Sequence, residues 1–152
     1  MRALELRVPP LALVVVFAVG MAVIAYAAPA SLAVPGRLLV ALTLAFAGAL
    51  VALAGVVAFH EHKTTVNPFT PDQSSSLVAS GIYRFSRNPM YLGFLLALAG
   101  WAVYLANWAS ALLLPAFVAY MNRFQIEPEE RALSQRFGQE FASYSKATRR
   151  WL

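Results

Sequence analysis

The sequence lacks cysteine entirely and contains few charged residues of either sign. Without cysteine the chain has no disulfide framework, no thiolate metal site and no cysteine nucleophile. Charged residues make up 12% of the 152 residues, whereas a soluble domain has about 25%. Apolar residues make up 60%. A soluble domain of this length leaves about 30% of its chain surface in water, so it could not bury all of these residues. The composition therefore excludes a disordered chain and argues against a soluble globular enzyme.

Four uncharged apolar stretches lie along the chain, at about residues 9–28, 38–59, 91–106 and 108–122. The first two have the roughly 20 residues that a membrane-spanning helix needs. We therefore predict an all-α integral membrane bundle of about four transmembrane helices, with residues 1–152 in a single membrane domain. The first stretch is longer than the apolar region of a signal peptide, so we predict a retained helix rather than a cleaved signal.

The third and fourth stretches are each short for a full span, and Asn107 separates them. They predict a helical hairpin that turns near Asn107, with one long helix as the alternative. Small residues recur along the second stretch and favour close contact with a neighbouring helix. These residues are Ala41, Ala45, Gly48, Ala49, Ala52 and Gly55.

Two further segments are polar. Residues 60–90 predict a cytoplasmic loop that lies against the membrane surface. Residues 128–150 predict an amphipathic helix at that surface, because apolar side chains there recur at the three- and four-residue spacing of one helix face. They are Leu133, Phe137, Phe141 and Tyr144, and the pattern continues through Thr148 to Trp151.

The distribution of basic residues predicts the orientation in the membrane. Of the 12 Lys and Arg residues, only Arg37 lies outside residues 1–8, 60–90 and 123–152. Basic loops stay in the cytoplasm, so we predict a multi-pass membrane protein with both termini and the active site on the cytoplasmic side. The net charge of +5 then indicates membrane lipids as partners, and no motif indicates nucleic acid.

Two clusters of chemically active side chains lie at the cytoplasmic ends of the predicted hairpin. The first is residues 81–93, Gly-x-Tyr-Arg-x-Ser-Arg-x-Pro-x-Tyr-x-Gly, and the second is residues 127–130, Glu-Pro-Glu-Glu. Because a hairpin returns its two ends to one membrane surface, we expect the clusters to face one another. A pocket between them would have cationic, amide and aromatic groups on one wall and carboxylates on the other.

This pattern resembles the isoprenylcysteine carboxyl methyltransferases and the related phospholipid methyltransferases, over about residues 63–152. The resemblance rests on the motif of residues 81–93, on Glu129-Glu130, and on the run Thr-Thr-Val-Asn-Pro at residues 64–68. Leu133, Phe137-Gly138 and Tyr144 also fit the family pattern. Family members often have His at the position of Asn88, and an amide at that position can bind but cannot act as a titrating base.

The resemblance implies S-adenosylmethionine as the cofactor. The implied cofactor contacts are Arg87, Asn88, Pro89, Met90, Tyr91, Gly93, Glu129 and Glu130. Glu130 is also a candidate general base, with Glu129 beside it, and Arg123 is a candidate for holding an anionic group of the substrate. The arginines could instead be interfacial anchors, and the glutamates could stabilise a helix N-terminus. We predict no metal site, because the pair His60 and His62 provides too few ligands for zinc.

The sequence therefore predicts methyl transfer from S-adenosylmethionine to a lipophilic small molecule or lipid at the cytoplasmic membrane face. One alternative is an NADPH-dependent membrane reductase, because sterol reductases have a similar C-terminal region. Another is a non-enzymatic small membrane protein. The sequence leaves the methyl acceptor and the oligomeric state open.

Overall fold

The computed structural model describes residues 5–28, 30–61 and 76–152. Within these ranges the chain is helical and contains no strand; Ser31 and Asn107 form an isolated antiparallel bridge. The prediction of an all-α fold is therefore confirmed. The helices are α1 (Pro10–Ala27), α2 (Arg37–Glu61), a 3₁₀ helix (Gly81–Arg84), α3 (Pro89–Leu105), α4 (Trp108–Ala111), α5 (Leu113–Met121), a π helix (Asn122–Ile126), α6 (Glu127–Phe137) and α7 (Gln139–Ala147).

α1 and α2 are the two described helices that are long and apolar enough to cross a membrane, while α3 is apolar but shorter. Both long helices leave large apolar side chains exposed, including Val16 and Val19 of α1 and Leu39 and Phe46 of α2. Large exposed apolar surfaces of this kind suit contact with lipid rather than water. The number of spans, which the sequence predicts as four, stays a prediction.

The chain turns sharply between α3 and α4, where the sequence predicts the hairpin. Ala106 ends α3 in the left-handed conformation, with a φ of 50°. Asn107 then caps α4, because its Oδ1 accepts a hydrogen bond from the Ser110 amide at 3.0 Å. Its Nδ2 donates to the Ala28 carbonyl at 2.8 Å. This buried amide therefore ties the turn to the end of α1.

α2 and α3 pack with their backbones in close contact. The buried residues Ala41, Gly48 and Gly55 line one side of α2. A Cβ atom placed on Gly48 would lie 2.5 Å from the Gly93 carbonyl oxygen of α3. The prediction that the small residues of α2 allow close contact with a neighbouring helix is confirmed. The contact is made by Ala41, Gly48 and Gly55, which are seven residues apart, and Ala49 stays exposed.

The segment after the hairpin differs from its prediction in two ways. α5, the π helix and α6 follow one another without a break, so the helical segment begins well before Pro128. The predicted helix over residues 128–150 is wrong as a single element, because it divides at Gly138 into α6 and α7. Gly138 has a φ of 48°, a conformation that glycine adopts at little cost and that ends a helix.

The segment predicted as a loop, residues 60–90, is only partly described. Its beginning is the end of α2, which reaches Glu61, and its second half contains the 3₁₀ helix. His62 and the Thr-Thr-Val-Asn-Pro run lie outside the described residues.

Candidate active site

The two polar clusters meet where α3 begins and α6 begins, and residues 145–151 lie beside them. Arg87 is the centre of this contact. Its Nη1 donates to the carbonyl oxygens of Ser145 at 2.7 Å and Thr148 at 2.8 Å, and its backbone amide donates to Arg149 at 3.0 Å. Its Nη2 lies 2.6 Å from Glu130 Oε1. The prediction that the hairpin brings the two clusters together is therefore confirmed at this pair.

Glu130 is held by two guanidinium groups. Besides Arg87, Arg150 contacts both of its oxygens, with Nη2 2.6 Å from Oε2 and Nε 3.2 Å from Oε1. Burial opposes ionisation of this carboxyl, but the hydrogen bonds and charges of Arg150 and Arg87 outweigh it and lower the pKa of Glu130. Glu130 is therefore an ionised, firmly positioned acceptor at neutral pH.

Glu129 has a different environment. The hydroxyl of the buried Tyr91 donates a hydrogen bond to its carboxyl. Burial raises the pKa of Glu129 to about 8, against the opposing effect of the Tyr91 hydrogen bond and with a contribution from the negative charge of Glu130. Two adjacent carboxyls thus differ in charge: one is ionised, and the other holds or releases a proton near neutral pH.

Asn88 connects the start of α3 to residue 150. Its Nδ2 donates to the Arg150 carbonyl at 2.9 Å, and its backbone amide donates to the Ser86 hydroxyl at 3.1 Å. Ser86 Oγ in turn lies 3.5 Å from the same Arg150 carbonyl. Pro89, the next residue, begins α3, where its missing N–H leaves no helical hydrogen bond unmade.

Met90 and Gly93, two of the predicted cofactor contacts, lie against α2. Met90 Cγ would be 2.8 Å from a Cβ atom on Gly55, and Gly93 packs against Gly48. Their positions account for a packing role, and their predicted contact with a cofactor stays a prediction.

Two tyrosines fix the 3₁₀ helix to α7. The Tyr144 hydroxyl donates to the Tyr83 carbonyl at 2.8 Å. Burial raises the pKa of Tyr83 and of Tyr144 well above the ordinary value, so both hydroxyls stay protonated.

Arg123 takes part in a separate ion network. It lies 3.2 Å from Glu127 and 3.5 Å from Glu5, and Arg131 also pairs with Glu5. Glu5 and Glu127 already neutralise the positive charge of Arg123, the residue that the sequence indicates as the partner of an anionic substrate group. The described contacts therefore give Arg123 a role in joining the N-terminal segment to the π helix and α6.

An open depression of about 390 Å³ lies beside Glu130 and α6. Its lining consists of two acidic residues, two basic residues and a hydroxyl, namely Glu127, Glu130, Arg131, Ser134 and Arg150. One side of the Glu130–Arg150 pair is thus open to solvent. Among the residues that the structure describes, no cluster of three or more His, Cys, Asp or Glu side chains could hold a metal.

Sequence reasoning missed Arg150, Trp151 and Asn122 as parts of this region. The Trp151 indole donates to Asn122 Oδ1 at 3.0 Å, which fixes residue 151 to the π helix. The sequence signal was the Arg-Arg-Trp run at residues 149–151. Arginines in such a run usually lie in water at the membrane surface, so the run does not by itself indicate a site.

The sequence was compared with known families, curated proteins and solved structures. The sequence model of the family described as phospholipid methyltransferase matches residues 36–140. Protein-S-isoprenylcysteine O-methyltransferases A and B of Arabidopsis thaliana are 31% and 30% identical over 103 and 108 residues. These alignments cover 66% and 69% of this chain and 51% and 53% of the two relatives. The chain therefore spans about half the length of these relatives.

An uncharacterized protein of Haemophilus influenzae is 41% identical over 63 residues, which is 41% of this chain and all of that protein. No solved structure matches the chain. The resemblance to this family, drawn over about residues 63–152, is confirmed by the match to residues 36–140, which covers more than half of the sequence. The chain therefore belongs to the phospholipid methyltransferase family, and it is also similar in sequence to proteins named as isoprenylcysteine methyltransferases.

Proposed function

We propose that this chain is an S-adenosylmethionine-dependent methyltransferase that acts on a lipophilic acceptor at the cytoplasmic face of a membrane. One observation carries the proposal: the start of α3 and the start of α6 meet through two side-chain pairs. These are Arg87 with Glu130 and Tyr91 with Glu129. Family membership supports methyl transfer, and the pairs supply polar groups suited to a charged cofactor.

The donor and acceptor set fits S-adenosylmethionine. The Nε atom of Arg87 is buried and has no hydrogen-bond partner among the described residues, so it can donate to a carboxylate. Glu129 and Glu130 offer acceptors for an ammonium group and for ribose hydroxyls, and Asn88 offers an amide. When bound, the cofactor supplies an electrophilic methyl group on a sulfonium. Residues 87–91 and 129–130 would hold and orient it.

Glu129 suits the role of general base better than Glu130. A base that takes a proton near neutral pH needs a pKa close to that pH, and the pKa of Glu129 is about 8. Glu130 has a lowered pKa and is occupied by Arg87 and Arg150. An amine or phenol acceptor would need such a base, whereas a carboxylate acceptor would already be ionised.

The exposed apolar faces of α1 and α2 support a lipophilic acceptor. With these faces in contact with acyl chains, the active-site end of the bundle would lie at the bilayer surface, within reach of an acceptor dissolved in lipid. The curated relatives in Arabidopsis thaliana are named as acting on isoprenylcysteine, which is such a compound. Transfer then depends mainly on alignment of the acceptor and exclusion of water.

The proposal is tested by calorimetric titration of the detergent-purified full chain with S-adenosylhomocysteine, with NADPH titrated in parallel. We expect micromolar binding of the first compound alone. The double variant Glu129→Gln/Glu130→Gln should lose this binding. Glu140→Gln, which changes an exposed carboxyl of α7, is the matched control and should bind like the parent chain.

Each result of the titration has a defined meaning, provided that circular dichroism shows the helical content of every variant to be unchanged. Binding of NADPH alone would favour a membrane reductase. Binding of neither compound by the folded parent chain would overturn the methyltransferase proposal. Normal binding by the double variant would show that the cofactor site lies elsewhere.

A further inference from the structure

Residues 145–151 contact both halves of the proposed site. Arg87 donates hydrogen bonds to the carbonyl oxygens of Ser145 and Thr148, and the Trp151 indole donates to Asn122 of the π helix. Between these anchors lies Arg150, whose side chain and backbone contact different motifs.

The Arg150 side chain holds the carboxylate of Glu130. Its Nη2 and Nε donate to the two different oxygens, Oε2 at 2.6 Å and Oε1 at 3.2 Å. Such a two-point contact fixes the plane of the carboxylate as well as its position. Arg87 contacts Oε1, so the orientation of Oε2 depends on Arg150.

The Arg150 carbonyl holds the other motif. It accepts from Asn88 Nδ2 at 2.9 Å, and Ser86 Oγ lies 3.5 Å away. One residue thus links Asn88 before α3 to Glu130 in α6, and both belong to the proposed cofactor contacts. Its side chain is one-third exposed, so water weakens the net attraction of the pair, and the contribution that remains is mainly geometric.

We propose that Arg150 is a positioning residue of the cofactor site, an inference that rests on the proposed function. Arg150 orients the Glu130 carboxylate and keeps Asn88 at a fixed distance from it. Lysine preserves the charge but cannot make the planar two-point contact. If the affinity for the cofactor depends on the orientation of Glu130, only arginine at position 150 can support it. If the affinity depends on charge alone, lysine can replace arginine.

The test is calorimetric titration of the full chain with S-adenosylhomocysteine, comparing Arg150→Met, Arg150→Lys and the parent. We expect Arg150→Met to raise Kd about tenfold, the cost of losing hydrogen bonds to a charged group. Arg150→Lys, which keeps the charge but not the two-point contact, should raise Kd nearly as much as Arg150→Met. A Kd for Arg150→Lys equal to that of the parent would overturn the inference, because charge alone would then suffice. The number of binding sites per chain should stay unchanged in both variants.

The number of sites separates positioning from simple destabilisation. A variant that is partly unfolded loses sites while the remaining sites keep the parent Kd, whereas a misoriented Glu130 raises Kd with all sites present. Lys146→Met removes a charge from an exposed position of α7 and is the matched control, expected to bind like the parent.

An unchanged Kd in Arg150→Met would overturn the inference and leave the proposed function intact, whether or not sites are lost. A tenfold rise in Kd for the control Lys146→Met would overturn the inference too, because the loss of any positive charge would then explain the effect. Absence of binding by the folded parent chain would overturn the proposed function itself and the inference with it.

Discussion

At the scale of single residues, the neighbours Glu129 and Glu130 show how environment assigns different roles to identical side chains. Glu130 faces Arg87 and Arg150, which lower its pKa. Glu129 faces Tyr91, whose hydroxyl bonds to it in a buried setting that raises its pKa to about 8. Successive residues on a helix point about 100° apart, so one can face an arginine cluster while the other faces α3.

The raised pKa of Glu129 predicts that stability falls as pH rises. The folded chain has a pKa of about 8 at this group, against an ordinary value of 4.5. Between these values the folded state holds a proton that the unfolded state has lost, so the stabilisation is complete below about 4.5 and is lost as pH rises through 8. We expect the melting temperature in detergent to fall by roughly 5 °C or more between about pH 5.5 and pH 9.

The variant Glu129→Gln should remove most of this pH dependence, because its amide keeps the shape of the protonated carboxyl and cannot ionise. Glu130 does not interfere, since a carboxyl with a lowered pKa affects stability only below its ordinary value. Thermal unfolding followed by circular dichroism is the measurement. Equal pH dependence in the parent and the variant would contradict the prediction.

Residue-level features of the site could be predicted from the sequence only where a motif marks them. Arg87, Tyr91 and the glutamate pair lie in such motifs, and the structure brings them into contact. Arg123 lies seven residues before Glu130, two turns of an α helix and hence the same face. The intervening π helix, which has more residues per turn, has no sequence signal and changes that offset.

At the scale of the elements, the contact between α2 and α3 depends on glycine at position 48. A Cβ atom there would lie 2.5 Å from the Gly93 carbonyl oxygen and 3.1 Å from the Ala97 amide nitrogen. Both are backbone atoms, so the helices would have to separate. α3 begins with Pro89 directly after the site residues Arg87 and Asn88, so the same contact also fixes their position.

We expect Gly48→Ala to destabilise the chain by about 1–3 kcal/mol, the usual cost of overpacking. Helix propensity alone would give the opposite sign, since alanine is favoured over glycine by about 0.5–1 kcal/mol within a helix. Gly20→Ala is the matched control, because its Cβ atom would lie 3.3 Å from a side-chain methyl of Leu113, which can move. Denaturation in mixed micelles measures both variants, and a Gly48→Ala chain as stable as the parent would contradict the prediction.

Apolar periodicity predicts where helices lie better than where they end. The apolar stretches of the sequence coincide closely with α1, α2 and α3, because uncharged runs have few alternatives to a helix in lipid. The division at Gly138 was missed, since the apolar spacing from Leu133 to Tyr144 continues across it. Gly138 ends α6 because its φ is positive, and the sequence does not show whether a given glycine inside a helical pattern adopts that conformation.

At the scale of the whole molecule, the two ends of the bundle differ in chemistry. One end carries the arginine and glutamate pairs around Glu130 and the ion network of Arg123 and Glu5. At the other end, two backbone hydrogen bonds hold the turn: the Leu32 amide donates to the Ala106 carbonyl, and the Trp108 amide donates to the Ala30 carbonyl. The Arg37 guanidinium lies over the Tyr104 ring. Because α3 runs from one end to the other, its length separates the site from this turn region.

The concentration of arginine and lysine at the site end predicts that this end faces the cytoplasm. The chain lacks cysteine, so a single introduced cysteine reports one position without further engineering. Ala33 lies exposed near the turn end, and Gln135 lies exposed on α6 at the site end. In intact bacterial cells that express the chain, a membrane-impermeant maleimide should label Ala33→Cys. Gln135→Cys should react only after the cells are permeabilised, and the reverse pattern would place the site, and the soluble cofactor it would need, outside the cytoplasm.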